Sequence, residues 1–180
     1  MNEEYTVITK AANGDLAAFE ELMRNYERLV YSIAYGMFHN DEDAKDLHQE
    51  AWIKIYVNMG KCKDARRFKS WVCKVATNVC IDEMRRRKGK RTESLENANV
   101  YAERQSPENA AIINEEIDGL KRALCSLSPE ERALVTLRGV QGFSYAEIAR
   151  VMGMAVGTVK SGLSRARGKI IRLRAAEREA

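Results

Sequence analysis

The chain has 180 residues, 45% hydrophobic and 31% charged, with 11 Gly, 2 Pro and 7% aromatics. That is enough for one ordinary domain or two small ones, and too poor in turn formers for a β-sandwich. No apolar run approaches the ~20 residues that span a bilayer, and the polar start MNEEYTVITKAANGD is no secretory signal, so the expected location is the cytoplasm, with no membrane insertion. The net charge of +4 is unevenly spread: −6 over residues 1–60, +9 over 61–91, −6 over 92–131 and +7 over 132–180. Two basic blocks between acidic ones suit two separate polyanion-facing surfaces, or two solvated faces. Cys62, Cys73, Cys80 and Cys125 form no Cys-x-x-Cys pair. Free or buried thiols are expected, with Cys73 and Cys80 on one helix face in the core.

The first long pattern places Leu16, Phe19, Met23, Tyr26, Val30, Ile33 and Met37 on one helical stripe, with Asp15 as cap. A second helix restarts at Asp41–Asp43. Ala44, Leu47, Ala51 and Ile55 form its inner face, Asp46, Gln49, Glu50 and Ile53 its outer face, and Gly60 its end. After the basic loop KCKDARR (Lys61 to Arg67), a third helix runs inward on Phe68, Trp71, Val75 and Val79 and leaves as DEMRRRKGKR. Aromatics beside a basic loop, with Asn78 and Asp82 one turn apart, would suit unstacked single-stranded bases, but core packing is the favoured reading of Phe68 and Trp71. Three helices of this length can bury one small core.

GKRTESLENANVYAERQ, from Gly89 to Gln105, lacks periodicity and reads as a flexible linker. Ser106 with Pro107 then starts a second unit. SPEE at Ser128–Glu131 and SYAE at Ser144–Glu147 are capping boxes, each opening a helix. Tyr145, Ile148, Ala149 and Met152 face inward, Gly153 permits a reversal, and Val156, Val159, Leu163, Ala166 and Ile170 repeat at helical spacing. At about 100° per residue, Thr158, Ser161, Arg165, Lys169 and Arg172 fall on the outward face. This is a helix-turn-helix whose second helix suits a DNA major groove, rather than a plain hairpin with a basic face. The basic tail Arg167 to Arg174 would add phosphate attraction.

No strand pattern and no catalytic constellation is present. His39 and His48 lack ligands at metal spacing, and no phosphate-cradling glycine loop or serine elbow occurs. The acidic run Asp41, Glu42, Asp43 and Asp46 is explained by a helix N-terminus. The chain is expected not to be an enzyme and to need no cofactor or metal.

Together these stretches resemble the sigma-70 family of bacterial RNA polymerase sigma factors, in its small extracytoplasmic-function (ECF) group. DAKDLHQEAWIKIY resembles the polymerase-binding helix, FKSWVCKVATNVCIDEMRRRK the promoter-melting segment, and LSPEERALVTLRGVQGFSYAEIARVMGMAVGTVKSGLSRARGKI the promoter-reading domain. The resemblance implies an all-α fold of two small helical domains: a region 2-like bundle over 1–88, a linker over 89–106 and a region 4-like helix-turn-helix over 107–180. It implies that Asp46, Gln49, Glu50 and Ile53 bind core RNA polymerase. Lys61, Cys62, Lys63, Arg66, Asn78, Asp82, Arg85 and Arg86 would meet the minus-ten element of promoter DNA. Thr158, Lys160, Ser161, Ser164, Arg165, Arg167 and Lys169 would read the minus-thirty-five element. An anti-sigma factor is an implied partner. Promoter opening would draw on binding energy, including capture of a flipped base. A helix-turn-helix regulator that does not bind polymerase is the alternative.

Two departures stand out. Cys62 occupies a loop position where the family often offers a bulky side chain, and TVKSG replaces the commoner TVKSR, putting Gly162 where Arg is usual. Gly162 lies ~70° from the centre of the inner stripe. It is therefore expected at the flank of the DNA interface, where Gly162→Arg would restore a contact and tighten binding.

Overall fold

The computed structural model describes residues 3–62, 64–93 and 110–179. Within them are eight α-helices and no strand, the all-α class expected. Lys63, residues 94–109 with the Ser106–Pro107 helix start, and most of the linker lie outside the described residues.

Helix α1 (Glu3–Ala12) carries too short an apolar pattern to be read from sequence, yet buries Ile8 and Ala11. Helix α2 (Leu16–Phe38) starts at Asp15, whose side chain accepts from the Ala18 N–H at 3.0 Å. Its stripe is a correction to the sequence reading. Val30, Ile33 and Met37 are buried, but Leu16 is 60% exposed and Met23 is exposed too, while Ala18 and Leu22 go inside. Alternating spacings of three and four drift ~20° per heptad on a straight helix, so one end of the stripe leaves the interface.

Helix α3 (Asp41–Val57) is capped by Asn40, which accepts from the Asp43 N–H at 2.9 Å. Ala44, Leu47, Ala51 and Ile55 are buried as read. Gly60 does not end this helix. Asn58 does, by donating Nδ2 to the Lys54 carbonyl at 2.8 Å; Gly60 sits in the separate 3-10 turn Met59–Lys61. Helix α4 (Phe68–Glu93) continues past Gly89, so the linker begins later than read.

The second unit comprises α5 (Ala110–Cys125), α6 (Pro129–Gly139), α7 (Tyr145–Met152) and α8 (Val156–Glu179). Both capping boxes form: Ser128 with Glu131, and Ser144 with Glu147. Gly153 adopts φ 65°, which L side chains avoid, and turns α7 into α8.

The units are docked against each other. Helices α6 and α7 pack on α4, and α6 also on α2, joining both units into one hydrophobic core. This explains the burial of α4. Phe68, Val72, Cys73, Ala76, Thr77, Val79, Cys80 and Ile81 are all buried, a band wider than one face, because neighbours cover it on two sides. Trp71 and Val75, read as core, are only half-buried. Cys73 and Cys80 are core side chains at 0% and 1% exposure, and all four cysteines are free thiols.

Candidate nucleic-acid interface

Four surfaces hold the residues singled out by sequence. On α3, Asp46, Gln49, Glu50 and Ile53 are exposed on the face opposite the core, Ile53 at 58%. Glu50 pairs with Lys54 at 2.8 Å. Two exposed apolar residues, Tyr56 and Val57, extend the strip toward the helix end.

The loop is organised by Asp64. Its carboxylate accepts from the Arg66 N–H at 3.0 Å and faces Arg66 Nε at 3.1 Å and Arg67 Nε at 3.5 Å. The Arg66 guanidinium holds the Asp64 carboxyl below its usual range. Lys61 and Arg66 are exposed, whereas Cys62 is half-buried, with Sγ 3.7 Å from the Asp64 carbonyl. Burial pushes the Cys62 thiol up. A cavity of about 380 Å³ opens beside this loop, lined by Tyr5, Tyr26, Arg66 and Lys69 among others. Phe68 is 1% exposed and packs edge-on to Tyr26 at 5.3 Å, so it is core and no platform for a base.

Along α4, Asn78, Asp82, Arg85 and Arg86 are exposed. The two arginines are engaged within the chain: Arg85 Nη2 meets Glu130 of α6 at 2.5 Å, and Arg86 Nε meets Glu83 at 2.6 Å. Arg86 first, and then Arg87, hold the Glu83 carboxyl below its ordinary value. Sequence reading missed Lys69 and Lys74, both exposed on the same helix. Their signal was available as positive charge between the loop and Asn78. Lys69 Nζ stands 5.4 Å from the centre of the Phe143 ring.

On α8, Thr158, Lys160, Ser161, Ser164, Arg165, Arg167 and Arg172 are all exposed. Ser161 Oγ donates to the Thr158 carbonyl at 3.1 Å, and Lys160 lies 5.8 Å from the Tyr145 ring centre. Two basic residues depart from the outward reading. Lys169 is half-buried, with Nζ 2.8 Å from both Glu131 oxygens; it braces the α6 capping box and holds the Glu131 carboxyl down. Arg174 turns to Glu116 at 2.5 Å and Glu177 at 3.0 Å, so the tail offers Arg167 and Arg172 rather than every cation.

Gly162 is the main correction. It is buried between Val159 and Ala166, both at 0% exposure. A Cβ there would stand 2.5 Å from Leu134 Cδ1 of α6. Gly162 lies in the contact of α8 with Leu134 of α6, not at the flank of a DNA surface. Leu163 and Ile170 are half-buried and Val156 is exposed, so the interface runs along Val159, Gly162 and Ala166.

Among the described residues, no group of three or more His, Cys, Asp or Glu comes together as metal ligands, and no helix is long and apolar enough to cross a membrane.

Known proteins share this arrangement. Residues 22–90 match sigma-70 region 2 and residues 117–170 match sigma-70 region 4. The ECF RNA polymerase sigma factor SigM of Mycobacterium tuberculosis is 35% identical over 160 residues, covering 89% of this chain and 79% of that protein. SigW of Bacillus subtilis is 30% identical over 169 residues, 89% of this chain and 90% of that one. The structure of CnrH in complex with the cytosolic domain of CnrY gives a TM-score of 0.68 at 21% identity, covering 97% of this chain and 99% of CnrH. The sigma factor RpoE of Bartonella quintana, in complex with the anti-sigma factor NepR, gives 0.64 at 24% identity, covering 87% and 96%. The structures establish a shared fold; the sequence matches, in the same order along nearly the whole chain, establish descent. With the two matched regions falling on α2–α4 and on α5–α8, the chain belongs to the sigma-70 family of RNA polymerase sigma factors, in its ECF group.

Proposed function

We propose that this chain binds core RNA polymerase through α3 and directs initiation at promoters with two recognition elements. The observation that carries the reading is the exposed strip Asp46, Gln49, Glu50 and Ile53. It combines acid, amide and a large apolar side chain on a rigid helix whose other face is fully buried. An apolar centre flanked by charge is what a specific protein partner uses, and a regulator acting on DNA alone has no use for it. The loop Lys61–Arg67, with Lys63 included by sequence, and the exposed face of α4 would meet the unpaired minus-ten strand. Thr158, Lys160, Ser161, Ser164, Arg165 and Arg167 would read the minus-thirty-five duplex, where hydroxyls and arginines suit phosphates and base edges. Lys169 supports that helix through Glu131.

The work is done by binding, without a reaction catalysed by the chain. A flipped base costs a few kcal/mol of lost stacking, and the cationic loop offsets that cost. The sigma factor RpoE of Bartonella quintana is seen in complex with the anti-sigma factor NepR, and CnrH with the cytosolic domain of CnrY; an anti-sigma partner is proposed for this chain too, in the cytoplasm.

The test is gel filtration of the chain with purified core polymerase. Stoichiometric co-elution that is lost in Ile53→Asp supports the reading. A chain that stays separate from core, yet binds duplex DNA, is the polymerase-independent regulator instead.

A further inference from the structure

The backbone bonds of the loop Lys61–Arg67 are local. The Lys61 N–H donates to the Asn58 carbonyl at 2.8 Å, the Cys62 N–H to the Met59 carbonyl at 3.0 Å and the Arg67 N–H to the Asp64 carbonyl at 2.9 Å. Single 3-10 turns of this kind have poor hydrogen-bond geometry and gain from support outside themselves. Helix α1 gives that support, packing on both turns, Met59–Lys61 and Ala65–Arg67.

Ile8 and Ala11, at 3% and 5% exposure, anchor the second half of α1. Its first turn is anchored differently. Tyr26 of α2 donates its hydroxyl to the Glu4 carboxylate at 2.5 Å. The cavity of about 380 Å³ lies here, lined by Glu4, Tyr5 and Ile8 of α1 and by Ala65 and Arg66 of the loop. Side chains that line a cavity lack packed neighbours on that side, so a directed bond does what packing does elsewhere. The same tyrosine touches the exit of the loop. Its ring packs edge-on to Phe68 at 5.3 Å, and Phe68, 1% exposed, opens α4 directly after Arg67. Burial, and then the bond to Glu4, push the Tyr26 phenol above its ordinary value, so it stays a donor at neutral pH.

We propose that Glu4 and Tyr26 are positioning residues for strand capture: their bond ties the first turn of α1 to the start of α4 and holds the loop between them in the form that meets unpaired DNA. This rests on the reading that Lys61–Arg67 meets the minus-ten strand. Neither residue has to touch DNA. An acid that shares a cavity with Arg66 would by charge alone repel phosphates, whereas an acid that holds the loop favours their binding. The two roles differ in sign.

Tyr26→Phe keeps the ring against Phe68 and removes the hydroxyl with no change of charge. The probe is a fluorescent forked DNA, a duplex with one unpaired arm of mixed sequence. In complex with core polymerase, the full chain carrying Tyr26→Phe should bind it about fivefold more weakly than the original chain, the loss of one hydrogen bond. Affinity for core polymerase should be unchanged. Hydrogen exchange of the free chain should show the amides of residues 59–67 exchanging about fivefold faster, with those of α8 unchanged. Glu4→Ala should do the same, and combining it with Tyr26→Phe should weaken binding no further. Glu4→Gln, which keeps an acceptor for the hydroxyl, should preserve both the loop protection and the DNA affinity.

Unchanged exchange in Tyr26→Phe would overturn the proposal. So would faster exchange with no loss of forked-DNA affinity, since the form of the loop would then not matter to the strand. Tighter binding by Glu4→Ala and Glu4→Gln alike, with Tyr26→Phe silent, would make Glu4 a repelling charge and no support. A chain that never joins core polymerase would overturn the promoter reading and with it the use of the loop; loop exchange, measured on the free chain, tells that failure from failure of the Glu4–Tyr26 bond to hold the loop.

Discussion

Helices α4 and α8 are both basic, and the fold treats them in opposite ways. On α8 the polar and cationic side chains Thr158, Ser161, Ser164, Arg165 and Arg167 stand in solvent, held from behind by Val159, Gly162 and Ala166. On α4 the buried band covers two sides, and the arginines are already occupied: Arg85 with Glu130, Arg86 with Glu83, Arg87 with Asp43 and Glu83. A helix presented like α8 meets a duplex with little rearrangement. A helix presented like α4 must first exchange its partners. On the proposed function, duplex recognition is ready in the free chain, and strand capture waits for a change of contacts that polymerase binding can supply.

The largest effect that could break this contrast is at Gly162. Gly162→Arg should lower the unfolding free energy by ~3 kcal/mol, because the side chain has to enter the α6–α8 contact at Leu134. Urea unfolding measures it; unchanged stability with tighter duplex binding would return Gly162 to the surface and undo the placement of α8. Next is Ile53→Asp, which should weaken core polymerase binding by ~2 kcal/mol while leaving the urea midpoint in place. A shifted midpoint would make Ile53 part of the fold rather than of a docking face.

A smaller effect of ~1 kcal/mol is expected for Glu131→Gln, which weakens the α6 cap and its bond to Lys169. The sign of its pH dependence is fixed. The Glu131 carboxyl titrates below its ordinary 4.5 in the folded chain, so its contribution is present above that value and is lost as pH falls through the folded one. The original chain should therefore lose stability in acid that Glu131→Gln never had, and parallel acid profiles would contradict the pairing. The smallest effect is Arg85→Met. With side chains 60% and 41% exposed, the Arg85–Glu130 pair should contribute less than ~1 kcal/mol to unfolding, read as a small fall in the urea midpoint.

What sequence could reveal follows the range of the forces involved. The capping boxes at Ser128 and Ser144 were legible because donor and acceptor lie three residues apart. The two faces of α3 were legible because Ala44, Leu47, Ala51 and Ile55 bury one side so completely. The stripe on α2 was half legible, since a heptad-like spacing does not stay on one side of a straight helix over that length. Gly162 was misread because its partner, Leu134, belongs to another helix, and a missing side chain carries no sign of what fills its place. Lys169 looked outward by angle, but its flexible stem reaches back to Glu131. The docking of the two units was beyond reach for the same reason: Thr136 and the Gly36 carbonyl are 100 residues apart in the chain. Local chemistry is written in local spacing, whereas a close approach between distant helices is written only in two small residues and the shape around them.

The proposed function is tested most directly by mapping transcript start sites made by purified core polymerase on sheared genomic DNA, with and without the chain. The expected result is a set of starts found only with the chain, sharing two upstream elements at fixed spacing, and absent with Ile53→Asp. Identical start sites with and without the chain would contradict it.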